Sequence, residues 1–169
     1  MKSDYLLHFD EINKFLKSRK KSEPFEKLCT ALYDEMHGAY ISGWGNKGKP
    51  NEDMIEALIF FSYDGKDAFD LLEEAYLAKD ETRIRTIFEN EYHRMYNAGA
   101  YDYGVNHYKA KTWVTAGDEK VRDTHEYLEG VTIPVDAEFI TFDDDSALYP
   151  GGFSNAGNNV NCRCILEYK

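Results

Sequence analysis

The chain has 169 residues, with 20 Lys and Arg against 31 Asp and Glu and a formal charge of −11. Hydrophobic residues make up 43%, with 13 Tyr and 10 Phe, which is enough for a buried core and excludes wholesale disorder. The negative balance argues against a general binder of phosphate backbones, and no run approaches the roughly 18 apolar residues of a membrane span, so no membrane partner is expected.

The first two thirds carry helical periodicity. The opening MKSDYLLHFDEINKF is broken by Asp4, His8, Asp10 and Glu11, unlike a secretory signal. From Pro24 onward, Phe25, Leu28, Cys29, Leu32 and Met36 recur at helical spacing, predicting a helix that stops at Gly38. The stretch SGWGNKGKPN, residues 42–51, reads as a loop. Met54, Ile55, Leu58 and Ile59 form a second amphipathic run, stopped near Gly65, and Phe69, Leu72, Ala75 and Tyr76 a third. The longest starts after Asp80, a suitable N-cap. Its stripe of Ile84, Ile87, Phe88, Tyr92 and Met95 weakens at Asn97-Ala98-Gly99.

The texture changes after about residue 110. Lys111 to Thr115 reads as a strand. Thr115 and Asp118 match a capping box that opens a short helix, Asp118 to Leu128, with Gly130 as its stop. Val131, Ile133 and Val135 alternate with polar neighbours, and Pro134 suits an edge strand. Phe139 to Phe142 and Val160 to Tyr168 are further strand candidates, separated by the loops at Asp143-Asp144-Asp145 and Tyr149 to Gly152. Helices first and short strands later predict an α+β fold: a helical N-terminal two thirds, then a small antiparallel sheet with one short helix.

Four clusters invite a chemical reading. Gly43 to Lys49 has the spacing of a phosphate loop, but Pro50 stands where a Ser or Thr hydroxyl is needed and no strand precedes it, so a plain loop is favoured. Asp143-Asp144-Asp145 lacks the Gly and distal Glu of a calcium loop and reads as a solvated acidic turn. In an extended chain, Cys162 and Cys164 look to one face with Arg163 opposite, so the two thiols with His125 offer part of a zinc site; two small buried residues in a core strand are the plainer account. With three cysteines, Cys29 included, a disulfide framework is not expected. His125 and Arg122 share a helix face, and with Lys111 and Arg163 they could cleave a phosphodiester without metal; packing of Val121, His125 and Leu128 on the sheet is the structural alternative.

Taken together, Lys111-Thr112-Trp113, Asp118, Val121-Arg122, His125, Leu128, Gly130, Phe139, Tyr149-Pro150-Gly151 and Asn161-Cys162-Arg163-Cys164 resemble the Mu F-like phage head morphogenesis domain. The resemblance covers about residues 80–168, and it divides the chain into residues 1–79, helical and of unknown role, and a Mu F-like domain over residues 80–169. It implies a minor capsid protein of a phage or prophage that meets the portal and other head proteins. Such proteins are linked to DNA packaging or ejection, found in the host cytoplasm during assembly and then in the virion. On that view Trp113, Thr115, Asp118, Arg122, His125, Gly130, Pro150, Asn161, Cys162 and Cys164 are scaffold and no cofactor is required. Thr115 and Asp118 would set the helix start, Gly130 its end, and Asn161 would bond the Pro150-Gly151-Gly152 loop. Mu F-like domains also occur beside toxin domains, including nucleases and ADP-ribosyltransferases. The competing expectation is therefore a ribonuclease of barnase, EndoU and RelE-like layout using His125, Arg122, Arg163 and Lys111. The exposed-looking aromatics Tyr101, Tyr103 and Tyr108 suit either an interface or packing beneath the sheet.

Overall fold

The computed structural model describes residues 25–45, 48–62 and 65–169. The N-terminal residues read as no signal, the helix-opening Pro24, and Asn46 and Lys47 of the glycine-rich stretch lie outside them. Four helices come first: α1 (Phe25–Trp44), α2 (Glu52–Ile59), α3 (Ala68–Leu77) and α4 (Glu81–His107). Each later start has its own cap. Asn51 Oδ1 accepts from the Asp53 and Met54 amides, Asp67 and Asp70 form a reciprocal capping box, and Asp80 Oδ1 accepts from the Arg83 amide at 2.9 Å.

Two glycines that read as interruptions lie inside helices. α1 runs through Gly38 and takes in Ser42-Gly43-Trp44, and α4 continues past Gly99 for two more turns. At Gly43 and Gly99 the reason is packing, whereas Gly38 has open space where a Cβ would stand. A Cβ on Gly43 would overlap the Tyr96 carbonyl oxygen, and one on Gly99 would overlap that of Tyr40, so the two helices cross backbone to backbone at this pair. The helix cost of Gly is offset by contact that no larger residue allows. Around the crossing, Leu28, Leu32, Met36, Tyr40, Ile55, Ile59, Leu72, Ile84, Phe88 and Met95 form one core.

The second part begins with β1 (Ala110–Val114), which lies between β2 (Thr132–Pro134) and β5 (Ile165–Tyr168) in an antiparallel sheet. Trp113 pairs with Leu166 and Thr112 with both Thr132 and Glu167, and Pro134 sits on the edge strand as its missing N–H requires. β3 (Phe139–Ile140) and β4 (Ser146–Ala147) form a separate two-stranded ladder. The architecture is α+β. Between strands lie α5 (Asp123–Glu126) and α6 (Ala156–Asn159), one turn each.

Several local expectations are corrected. The helix expected from Asp118 is confined to Asp123–Glu126, and no capping box opens it. Thr115 Oγ1 accepts instead from the Gly117 amide, and Asp118 from the Lys120 amide, so both residues shape the turn before the helix. Gly130 does end this segment, at φ 73°, its amide bonded to Trp113 O. Ordered pairing at the third and last strand candidates is shorter than expected, because Thr141 turns into the acidic loop and Cys162 to Cys164 precede β5. The acidic turn is not wholly solvated. Asp145 is buried and accepts from the Ser146, Ser154 and Asn155 amides, Ser154 Oγ and Asn158 Nδ2. α6, which supplies Asn158, has no apolar periodicity to announce it.

α4 joins the two parts. Its buried polar residues Glu91, His93, Arg94 and Asn97 face the C-terminal module rather than the helical core, and Glu91 pairs with Arg94 at 2.6 Å. Asn97 Nδ2 reaches Cys164 O at 3.4 Å, Asn90 Oδ1 accepts from the Asn161 amide at 2.8 Å, and the Tyr168 ring covers Gly104. Among the described residues no helix is long and apolar enough to cross a membrane.

Candidate functional site

The second core is small: Trp113, Leu128, Phe139, Ala147 and Phe153, closed by Cys162 and Cys164. His125 enters it from α5, 2% exposed, stacked on Phe153 and edge-on to Trp113. Its Nδ1 lies 3.6 Å from Cys162 Sγ and 3.5 Å from Cys164 Sγ. The alternation read from the sequence therefore holds: both thiols point inward to one histidine, while Arg163 points out to Asp118 in a two-pronged ion pair of 2.7 and 2.6 Å.

On α4, His93 is also buried, 5% exposed, with its Nε2 3.1 Å from Asn97 Nδ2. Cys162 is held well below the usual thiol range by its hydrogen bond with Cys164, against the opposing effect of burial, with His125 and His93 adding to the fall. The same pairing and burial raise Cys164. Among the described residues, His125, Cys162 and Cys164 place three metal-binding atoms within 4.8 Å of one another.

The module fits a known family over most of its length. The sequence profile of the family described as Phage Mu protein F like protein matches residues 62–167. The chain belongs to that family. The Mu F-like match takes in α3 and the approach to it as well as everything from α4 to β5. A stretch of 54 residues is also 43% identical to part of NAD(+)--arginine ADP-ribosyltransferase EFV of Enterococcus faecalis, covering 32% of this chain and 11% of that protein. The chain thus corresponds to a small fraction of the length of this relative. No solved structure matches the chain.

Within this Mu F-like module the four groups considered for phosphodiester cleavage are each engaged separately. Lys111 is buried, donates to Leu148 O at 2.7 Å and lies over the Tyr101 ring. Desolvation lowers its ammonium to about 8, although Asp136 and Glu138 pull the other way. Arg122 donates to Gly157 O and Val160 O, so it pins α6 to α5. Arg163 is paired with Asp118, whose carboxyl this partner holds down at about 2. His125 faces thiols. A cluster with these commitments supports a fold more readily than it attacks a phosphate.

Trp113 is fully buried, and Gly130 ends the α5 segment. Asn161 and Asn159 bond residues outside the Pro150-Gly151-Gly152 loop, Asn90 and Phe153. Asn161 adopts φ 57° and bonds Asn90 through its amide, while Asn159 clasps the amide and carbonyl of Phe153. Tyr101 packs on Tyr149 and Tyr108 on Tyr168, closing the seam between α4 and the C-terminal module, whereas Tyr103 packs on Trp44 between α4 and α1. The sequence did not mark His93 and Asn97, the buried polar pair of α4 that borders Cys164. One signal was available: the apolar stripe of α4 leaves His93 and Asn97, four apart, together on a polar flank that a following sheet could cover.

Proposed function

We propose that this chain is a minor capsid protein of a phage or prophage, acting in head morphogenesis at the portal and linked to DNA packaging or ejection. Membership of the Mu F-like family over residues 62–167 is the observation that carries this reading. The geometry agrees with a scaffold role: the motif residues Trp113, His125, Cys162 and Cys164 are buried, and Lys111, Arg122 and Arg163 are spent on internal partners. Its partners are portal and other head proteins, met in the host cytoplasm during assembly and kept in the particle. An acidic chain of charge −11 can lie beside packaged DNA without adhering to it. The local likeness to an ADP-ribosyltransferase does not bring that activity here, because it covers 11% of the enzyme.

The test is quantitative mass spectrometry of gradient-purified particles from an induced culture, following peptides between Trp113 and Arg163 against portal protein. A few copies per portal that survive the gradient are expected. The chain found free in the lysate and absent from particles would overturn the reading. A ribonuclease assay on that free chain, with His125→Ala as control, would then decide the effector alternative.

A further inference from the structure

We propose that His125 Nδ1, Cys162 Sγ and Cys164 Sγ hold one zinc ion through three protein bonds, and that the fourth coordination position faces the adjoining recess and is filled by a water molecule. The three atoms lie within 4.8 Å of one another, with His125 Nδ1 at 3.6 Å from Cys162 Sγ and 3.5 Å from Cys164 Sγ. A shared ion imposes such distances. With zinc–sulfur bonds of about 2.3 Å and zinc–nitrogen bonds of about 2.0–2.1 Å, a tetrahedral angle sets sulfur and nitrogen roughly 3.5 Å apart. A hydrogen bond explains the arrangement less well, since Nδ1 offers one proton or one lone pair to two sulfurs that stand equally near. The Nε2 of the same buried ring meets no hydrogen-bond partner among the described residues, so the polar contacts of this histidine inside the fold are the two thiols.

The donor count leaves one place open. His93 on α4 does not supply it: Asn97 Nδ2 donates to its Nε2, which leaves the proton on Nδ1 and no free lone pair on the ring. Beside the three ligands lies a recess of about 10 Å³, lined also by Val121, Arg122 and Arg163, which is room for a single water. Three protein ligands and a water are the coordination that keeps a zinc position exchangeable, whereas a fourth protein ligand closes it. The two thiol protons leave to solvent as the ion enters. Two thiolates then cancel the double charge of the ion, so the loaded cluster is neutral between Trp113 and Phe153, which wall it. The bonds tie α5 to the segment before β5 across 37 and 39 residues of chain. Both elements are four residues long and close few backbone bonds of their own, so a cross-link holds them where ladder bonds do not.

The experiment uses the full chain, reduced with a phosphine, stripped of metal and titrated with cobalt(II) and then zinc(II). One equivalent of cobalt should give tetrahedral absorption with thiolate charge-transfer bands, and one equivalent of zinc should bleach it. X-ray absorption of the zinc form should show two sulfurs at about 2.3 Å and two nitrogen or oxygen atoms at about 2.0–2.1 Å. Loss of an outer partner alone costs a metal site about 10–100-fold, so loss of a ligand in Cys164→Ser or His125→Gln should cost at least about a hundredfold in zinc affinity against a chromophoric chelator. His93→Gln and Cys29→Ser should keep the wild-type affinity. A reduced chain that takes up no cobalt overturns the site. A third sulfur around the ion, or a ligand-sized loss in His93→Gln with helical circular dichroism retained, overturns the open position. Should Cys164→Ser or His125→Gln fail to fold, the wild-type cobalt spectrum and sulfur count still decide.

Discussion

Between Phe25 and His107 the chain buries aliphatic and aromatic side chains on helices of 8 to 27 residues, whereas from Ala110 onward no helix or strand exceeds five. The helical part needs little beyond regular backbone bonds, caps and one close crossing at Gly43 and Gly99. The C-terminal module fixes loops instead: Asp145 gathers three amides, a hydroxyl and a side-chain amide, Asn159 clasps Phe153, and Arg122 holds two carbonyls of the α6 region. Short elements close few ladder bonds, so order there depends on side chains meeting specific backbone groups.

The sharpest way to break that contrast is Trp113→Ala. Trp113 is fully buried at the centre of the small core, touching His125, Phe139 and Phe153. A loss of about 3–5 kcal/mol is expected. Hydrogen exchange should show residues 110–168 opening while α1 and α4 stay protected; equal loss across the chain would mean that the two parts fold as one. Gly99→Ala attacks the other side. Its methyl meets the Tyr40 carbonyl, which cannot swing aside as a side chain can, so urea unfolding should show a loss of about 2–3 kcal/mol. Wild-type stability in this variant would remove the close crossing.

How far each part was legible follows the same division. The helical periods were readable because one apolar face repeats over several turns, as Ile84, Ile87, Phe88 and Met95 do. Gly38 and Gly99 misled, since propensity marks them as breaks; the partner helix explains Gly99, while Gly38 stays helical with open space where a Cβ would stand. The inward pair Cys162 and Cys164 was legible from alternation. The buried polar flank of α4, His93 and Asn97, was not, because its contact with Cys164 O spans 67 residues of chain. Nor was α6, whose sequence AGNN has neither period nor apolar face and is held by Asn155, Asn158 and Asn159 contacts that exist only once the loop is closed.

The loop network predicts a smaller, pH-linked effect. Asp145 is lowered below the usual carboxylate range: burial would raise it, but hydrogen bonds from Asn158, Ser154 and the Asn155 amide outweigh that. A carboxyl lowered in the fold contributes stability above its unfolded value near 3.9, and loses that contribution as pH falls through its folded value. Asp145→Asn keeps the shape but turns one acceptor into a donor among donors, so a loss of about 1–2 kcal/mol at pH 7 is expected. Thermal melts from pH 6 to 2 should be flatter in the variant. Parallel acid curves would show that the network does not need the charge.

The smallest expected effect lies at Lys111, and it has the opposite sign from a paired lysine. Its folded value is lowered to about 8, chiefly by desolvation, while an unfolded lysine titrates near 10.4. Between those values the unfolded chain binds more protons than the folded one, so stability rises with pH across the window, by at most about 1.4 kcal/mol per unit. Two phenols elsewhere in the fold limit the window from above. Buried Tyr40 and Tyr168 have raised phenols, mainly through desolvation, and each makes stability fall once unfolded tyrosine begins to ionise near 10. The readout is therefore the slope of urea midpoints between pH 8 and 9.5, wild type against Lys111→Met. The variant loses the bond to Leu148 O and shifts its whole curve downward, but that offset does not depend on pH. A shallower slope in the variant places the buried ammonium in the C-terminal module. Equal slopes would mean that Lys111 reaches water when the protein is in solution, and the contrast between an apolar helical core and a polar-seeded second core would lose its clearest cation.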